Sequence, residues 1–193
     1  MTSDRNEHPT TPPKALDEYG VATDASTVRF ERLLPGPIER VWAYLTESDK
    51  RAQWFASGPM DLRIGGRVEL KFRHADLTPH SEPTPERYKK YGDGPTLDAR
   101  VTRCEPPRLL SFTWGDQAED ESEVTFELTP QGGNVLLVLT HRRLANREAM
   151  RDVAGGWHTH LGILADKLNG RTPGPFWSTH ERNEAVYRQR FGE

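Results

Sequence analysis

Residues 146–170, NREAMRDVAGGWHTHLGILADKLNG, decide how this chain is read. Met150, Val153, Ala154, Trp157, Leu161, Leu164 and Leu168 recur at alternating steps of three and four. That spacing gathers seven apolar groups on one stripe, the pattern of a long helix packed on a core. Asn146 stands where an N-cap belongs, since its side-chain oxygen can accept from a first-turn N–H. Lys167, Gly170 and Pro173 mark the stop. Gly155 and Gly156 interrupt the pattern, each at about 1 kcal/mol relative to alanine in a helix interior. Close approach of another backbone, or a kink beside a cavity, would account for them. At 3.6 residues per turn, Gly156 lies about 100° and Gly155 about 160° from the Trp157 direction. Gly155 therefore points nearly away from the core partner and should accept a methyl neutrally or with a gain in stability. A methyl on Gly156, in contrast, is expected to destabilise the helix or to alter ligand uptake.

A helix of this length needs a broad partner, and the preceding sequence supplies strands. VRFERLL at 28–34 alternates weakly and reads as the first. Pro35-Gly36-Pro37 breaks it, and Ile38, Val41, Trp42 and Leu45 then recur at helical spacing. A second short helix is expected at 49–55, capped by Ser48. Beyond Gly65-Gly66 the period becomes two: Val68, Leu70 and Phe72, then Leu97, Ala99 and Val101, then Leu110, Phe112 and Trp114, then Val124, Phe126 and Leu128. An acidic turn at 116–121 and a Gln131-Gly132-Gly133-Asn134 hairpin join the later ones, and 135–141 is a nearly continuous apolar strand. Joins this short make the strands antiparallel. The expected fold class is α+β: a curved antiparallel sheet of about six strands around a long C-terminal helix, with two short helices after strand one. Residues 1–25 lack periodicity and read as a mobile arm, with the main domain at 26–170. Within it, 75–95 carries four prolines and reads as an inserted loop of the functional or disordered kind. Residues 171–193 form an extension with a short helix from 178 to about 190, opened by a Ser178–Glu181 capping box.

Composition sets outer bounds. The 193 residues are 34% hydrophobic and 28% charged, with a net charge of −3 and no basic cluster, so no nucleic-acid footprint is present. Cys104 is the one cysteine, which excludes an intrachain disulfide and fits a reducing, cytoplasmic setting. It falls in phase with Asp98, Arg100 and Thr102, on the side away from the core. No apolar run is long enough for a membrane span, and the first residues lack a secretory signal's apolar stretch.

Several segments together resemble one superfamily. PIERVWAYLT at 37–46, Trp54, IGGR at 64–67, PRLLSFTW at 107–114, SEVTFE at 122–127 and the helix from Gly156 to Leu168 are similar to the SRPBCC superfamily. The closest resemblance is to its branch related to the C-terminal domain of the activator of heat-shock-protein ATPase. It implies the helix-grip fold shared with START and birch-allergen domains, and commonly an apolar ligand held between sheet and helix. Some branches are cyclases, so a cyclase or hydratase using a cavity His or Tyr is the alternative activity. A chaperone partner is also implied, and is set aside because the chain leaves no room for that activator's additional N-terminal domain. The motifs specify fold and carry no reaction.

Candidate ligand-binding residues follow from phase and position. His74, Trp114 and His141 continue the inward faces of their strands, where they either tip into a cavity or meet solvent. His160 lies about 60° off the helix stripe, at a cavity edge. Trp54 and Trp157 are further candidates, although their spacing suits a core role. Tyr88 and Tyr91, in the inserted loop, could close a lid or cover the sheet edge. His158 and His160 point about 200° apart on a helix and cannot share an ion, so no metal is expected. Hydrolase, phosphate-loop and dinucleotide patterns are missing, and neither catalytic residues nor a cofactor is assigned. The expected partner is a hydrophobic small molecule, bound by a monomer or homodimer.

Overall fold

A computed structural model describes residues 19–91, 94–115 and 121–192. The strands are β1 (Val21–Asp24), β2 (Thr27–Pro35), β3 (Ala56–Ser57), β4 (Arg67–Phe72), β5 (Thr96–Glu105), β6 (Leu109–Trp114), β7 (Ser122–Gln131) and β8 (Asn134–Arg142). The helices are α1 (Ile38–Thr46), α2 (Ser48–Arg51), α3 (Arg147–Leu168) and α4 (Phe176–Phe191). All neighbouring strands pair antiparallel, in the order β1-β2-β8-β7-β6-β5-β4-β3. This is a curved eight-stranded sheet with α3 along its concave side, the helix-grip arrangement. The two strands beyond the expected six are β1 and β3, of 4 and 2 residues, too short to carry a period and both at sheet edges.

α3 runs 22 residues, about 33 Å. Asn146 Oδ1 accepts from Ala149 N at 2.9 Å, the expected N-cap. Of the seven stripe residues, six are buried and Val153 is half-buried. Their partners are the inward residues of the sheet: Val28, Phe30, Leu110, Phe112, Val124, Phe126, Leu137 and Leu139.

Several expectations are corrected. The arm expected over 1–25 ends sooner: residues 21–24 are β1, and Tyr19 packs against His158 at 4.9 Å between ring centres. Residues 1–18 lie outside the described residues, as do 116–120 of the acidic turn. α2 is a single turn, and Ser48 begins it rather than capping it; its hydroxyl accepts from Gly58 N at 2.9 Å instead. That turn is held by Arg51, which is buried and donates to the carbonyls of Thr46, Ala56 and Gly58. Burial lowers its guanidinium to about 10. β5 carries a bulge between Val101 and Arg103, which inverts the in–out alternation beyond it. Cys104 consequently pairs with Leu110 and packs on the core, not away from it. Its thiol is pushed up by burial, which makes it less reactive.

α4 is longer than expected, and no side chain on its own N-terminal turn caps it. The capping box does not form. Glu82 of the inserted loop does that work from a distance, accepting from Trp177 N at 2.8 Å and Ser178 N at 3.3 Å. α4 lies across the outer side of α3, at the two glycines. A Cβ on Gly155 would stand 2.9 Å from Glu184 Cγ and 3.4 Å from its Cα, whereas one on Gly156 would meet nothing within 4 Å. The close approach is therefore at Gly155, the reverse of the sequence expectation, because the face turned from the sheet is covered by a second helix.

Candidate functional site

A cavity of about 270 Å³ opens between the first half of α3 and the ends of β4 and β6. The sheet side contributes Phe72 and Trp114; Phe55, just past α2, lies between them. From α3 come Val153, Gly156, Trp157 and His160. The third wall is the start of α4, with Phe176, Trp177 and His180, and Tyr88 of the inserted loop closes the edge. Phe55 stacks on Trp157 at 5.0 Å and on Trp114 at 6.1 Å, and meets Phe72 edge-on at 5.0 Å. Across the cavity His74 stacks on Phe176 at 4.7 Å, and Tyr88 on Trp177 at 5.0 Å. Interlocked stacked and edge-on rings of this kind hold one another in place.

Five of the seven sequence candidates, His74, Tyr88, Trp114, Trp157 and His160, come together at this cavity. The other two stand behind it. His141 is fully buried and belongs to a chain of hydrogen bonds that fixes the wall. Trp157 Nε1 can only donate, so His141 Nδ1 accepts at 3.1 Å and its Nε2 carries the proton. Nε2 then donates to Ser122 Oγ at 2.7 Å, and that hydroxyl donates to the Trp114 carbonyl at 3.1 Å. Two of the three cavity tryptophans, Trp157 and Trp114, are thereby tied to one neutral imidazole, which burial, with a smaller effect of the Arg143 charge, lowers to about 3. Trp54 lies under Phe55, its indole donating to the Tyr44 carbonyl at 2.8 Å. The Tyr91 side chain lies outside the described residues. His158 turns away from the cavity and bonds Tyr187 Oη through Nδ1 at 2.9 Å.

His160 is buried, and its Nδ1 lies 2.7 Å from the Trp54 carbonyl. Burial, then the neighbouring His74, lowers it to about 3; burial, then His180, lowers His74 to about 4. Both are neutral imidazoles at physiological pH. At the mouth, Tyr88 donates to Glu184, whose Oε1 also lies 3.3 Å from His180 Nε2. Tyr88 Oη is itself 3.0 Å from that nitrogen, and Arg87 pairs with Glu184 from outside. Burial and then the Glu184 hydrogen bond hold the Tyr88 phenol well above its ordinary range. For Glu184, burial acts upward, but the bonds from His180 and Tyr88 outweigh it and leave the carboxyl lowered. Asp152 borders the cavity with its carboxyl raised by burial and by Glu184. Among the described residues no three His, Cys, Asp or Glu converge as metal ligands, and no helix is long and apolar enough to cross a membrane.

Sequence reasoning missed Phe55, Phe72, Phe176, Trp177 and His180. Phe176 and Trp177 had a readable signal: two adjacent aromatics after Pro173 and Pro175, which anchor more than they cap. His180 had none, because only the crossing of α4 over α3 brings it to the cavity.

The architecture recurs in solved structures. A Bordetella parapertussis protein is 52% identical, covering 92% of this chain and 93% of its own with a TM-score of 0.77. DynU16, a putative protein in the dynemicin biosynthetic locus, is 25% identical over 78% of this chain and 49% of its own, with a TM-score of 0.57. The Aha1 dimer from Colwellia psychrerythraea shares the fold at 17% identity and a TM-score of 0.57, over 74% of this chain and 95% of its own. No curated protein matches the chain. The model of the family described as Activator of Hsp90 ATPase homolog 1-like protein matches residues 35–169, a span that ends before the α4 residues closing the cavity. The chain belongs to the Activator of Hsp90 ATPase homolog 1-like family, a branch of the SRPBCC superfamily, and closes the family's fold with a helix from beyond the matched span.

Proposed function

We propose that the protein binds a small, largely apolar molecule of about two fused rings in the cavity between sheet and α3. The observation that carries this is the lining: Phe55, Phe72, Trp114, Trp157, Phe176 and Trp177 surround one space. Apolar cavities remain dry and take up apolar guests; about 150 Å³ accommodates benzene. About 270 Å³ scales to a bicycle. Flat guests gain further from ring stacking on a lining already held in place. Tyr88, His180 and Glu184 bind one another at the mouth, which suits them to closure more than to proton transfer with a guest. DynU16 belongs to a biosynthetic locus, which is compatible with handling of a small organic molecule.

Naphthalene is the test ligand. Saturable binding by calorimetry is expected, with a rise in Tm that grows as the logarithm of free ligand once sites fill. Gly156→Leu, which projects into the open space, should abolish binding while still melting cooperatively. A wild-type protein that neither binds nor is stabilised, or a Gly156→Leu protein that binds unchanged, would refute the assignment.

A further inference from the structure

We infer that His160 selects guests that carry a hydrogen-bond donor, so that the preferred ligand class is a neutral hydroxylated bicycle rather than a hydrocarbon or a carboxylate. This rests on the cavity reading above and specifies its chemistry.

The geometry settles the tautomer. A backbone carbonyl only accepts, so the 2.7 Å contact from Trp54 O places the proton on His160 Nδ1. Nε2 is then a lone pair. It has no hydrogen-bond partner among the described residues, on a side chain only 6% exposed. Among those residues Thr102 Oγ1 is the one polar side-chain atom that is both sealed and unpartnered. The His160 nitrogen is therefore not sealed, and the space its ring borders is the cavity. Three rings fix its direction: Phe55 edge-on at 5.2 Å, Phe176 at 5.4 Å and His74 at 5.7 Å.

An acceptor desolvated in this way is incomplete until something donates to it, and a hydroxyl on the guest would do so. At the mouth Tyr88 and His180 are already bound to Glu184, which leaves His74 as the one other neutral imidazole of the lining that could accept from a guest. Anions are disfavoured by the same surroundings. Of the three imidazoles lining the cavity, His74 and His160 are neutral at pH 7 and His180 is taken up by Glu184, while Asp152 also borders the space. A guest carboxylate would lose its hydration without meeting a cation.

Four probes of matched shape test this on the full chain at pH 7: naphthalene, 2-methoxynaphthalene, 2-naphthol and 2-naphthoate. The expected result is 2-naphthol binding about tenfold more tightly than either naphthalene or its methyl ether, about 1.4 kcal/mol for one hydrogen bond. The carboxylate should bind most weakly. With ¹⁵N-labelled histidine, the His160 Nε2 resonance should move upfield with 2-naphthol and stay in place with the ether. His160→Phe should bring 2-naphthol down to the affinity of naphthalene, and the His160 Nε2 resonance of the wild-type protein, which needs no variant to fold, decides between His160 and His74 as the acceptor. Equal affinity for 2-naphthol and 2-methoxynaphthalene, with both bound, overturns the role of His160 and leaves the cavity reading standing. If none of the four binds, the cavity reading fails and takes this inference with it.

Discussion

Adjacent glycines in α3 serve different ends. Gly155 lets the backbone of α4 approach, and Gly156 leaves space in the cavity wall. Gly155→Ala is expected to lose about 1–3 kcal/mol to overpacking against Glu184. Gly156→Ala should gain about 1 kcal/mol of helix propensity. Thermal melts of the two single variants decide it, and equal stabilisation by both would contradict the packing described. The helical wheel gives Gly155 its direction correctly and brings Gly156 to the cavity side, yet puts the close approach at Gly156 instead of Gly155. Nothing in the sequence near Gly155 says that Glu184, 29 positions later, lies against it. His141 teaches the same lesson from the strand side. Its phase was legible, but its depth was not, because only the fold brings the Trp157 indole to its Nδ1. Trp157→Phe leaves that nitrogen desolvated without a donor and should lower stability by about 1–3 kcal/mol, read from a denaturant midpoint.

At the scale of elements, six strands and α3 could be read because each has a period of its own. β1 and β3 are too short for one, and the β5 bulge reverses the phase that placed Cys104 outside. The inserted loop and α4 are intelligible only as a pair. Glu82 caps α4, Tyr88 stacks on Trp177, and Arg87 and Tyr88 bind Glu184. Each segment alone looks like a proline-rich loop or a weak helix. Glu82→Gln removes the charge from the first turn of α4 and should lower stability by about 0.5–1 kcal/mol at low salt. The loss should shrink as salt is added. A Tm unchanged at every salt concentration would show that the loop does not hold the helix.

For the whole molecule, acid should be the weak point. His74, His141 and His160 are held neutral with folded values of about 4, 3 and 3, against 6.5 in the unfolded chain. Below pH 6.5 the unfolded chain takes up protons that the folded one refuses, so stability falls as pH falls. At pH 5 each histidine withholds about 2 kcal/mol, about 6 kcal/mol together, comparable with a typical total of 5–15 kcal/mol. The Tm should therefore drop steeply between pH 7 and pH 5, and a flat profile would mean that the three imidazoles are solvated. Fold and family could be read at this scale from motifs spread along the chain, as could five residues of the cavity, whereas its third wall could not, since that comes from α4. In the proposed function a flat guest enters between these walls, and the five tryptophans report on it directly. Trp114, Trp157 and Trp177 line the cavity, and Trp42 and Trp54 do not. In a ¹H–¹⁵N spectrum titrated with naphthalene, the indole resonances of Trp114, Trp157 and Trp177 should shift together and saturate at one equivalent, while those of Trp42 and Trp54 stay close to their free positions. Saturable binding that moves Trp42 and leaves Trp114 and Trp157 unchanged would place the guest elsewhere and contradict the account.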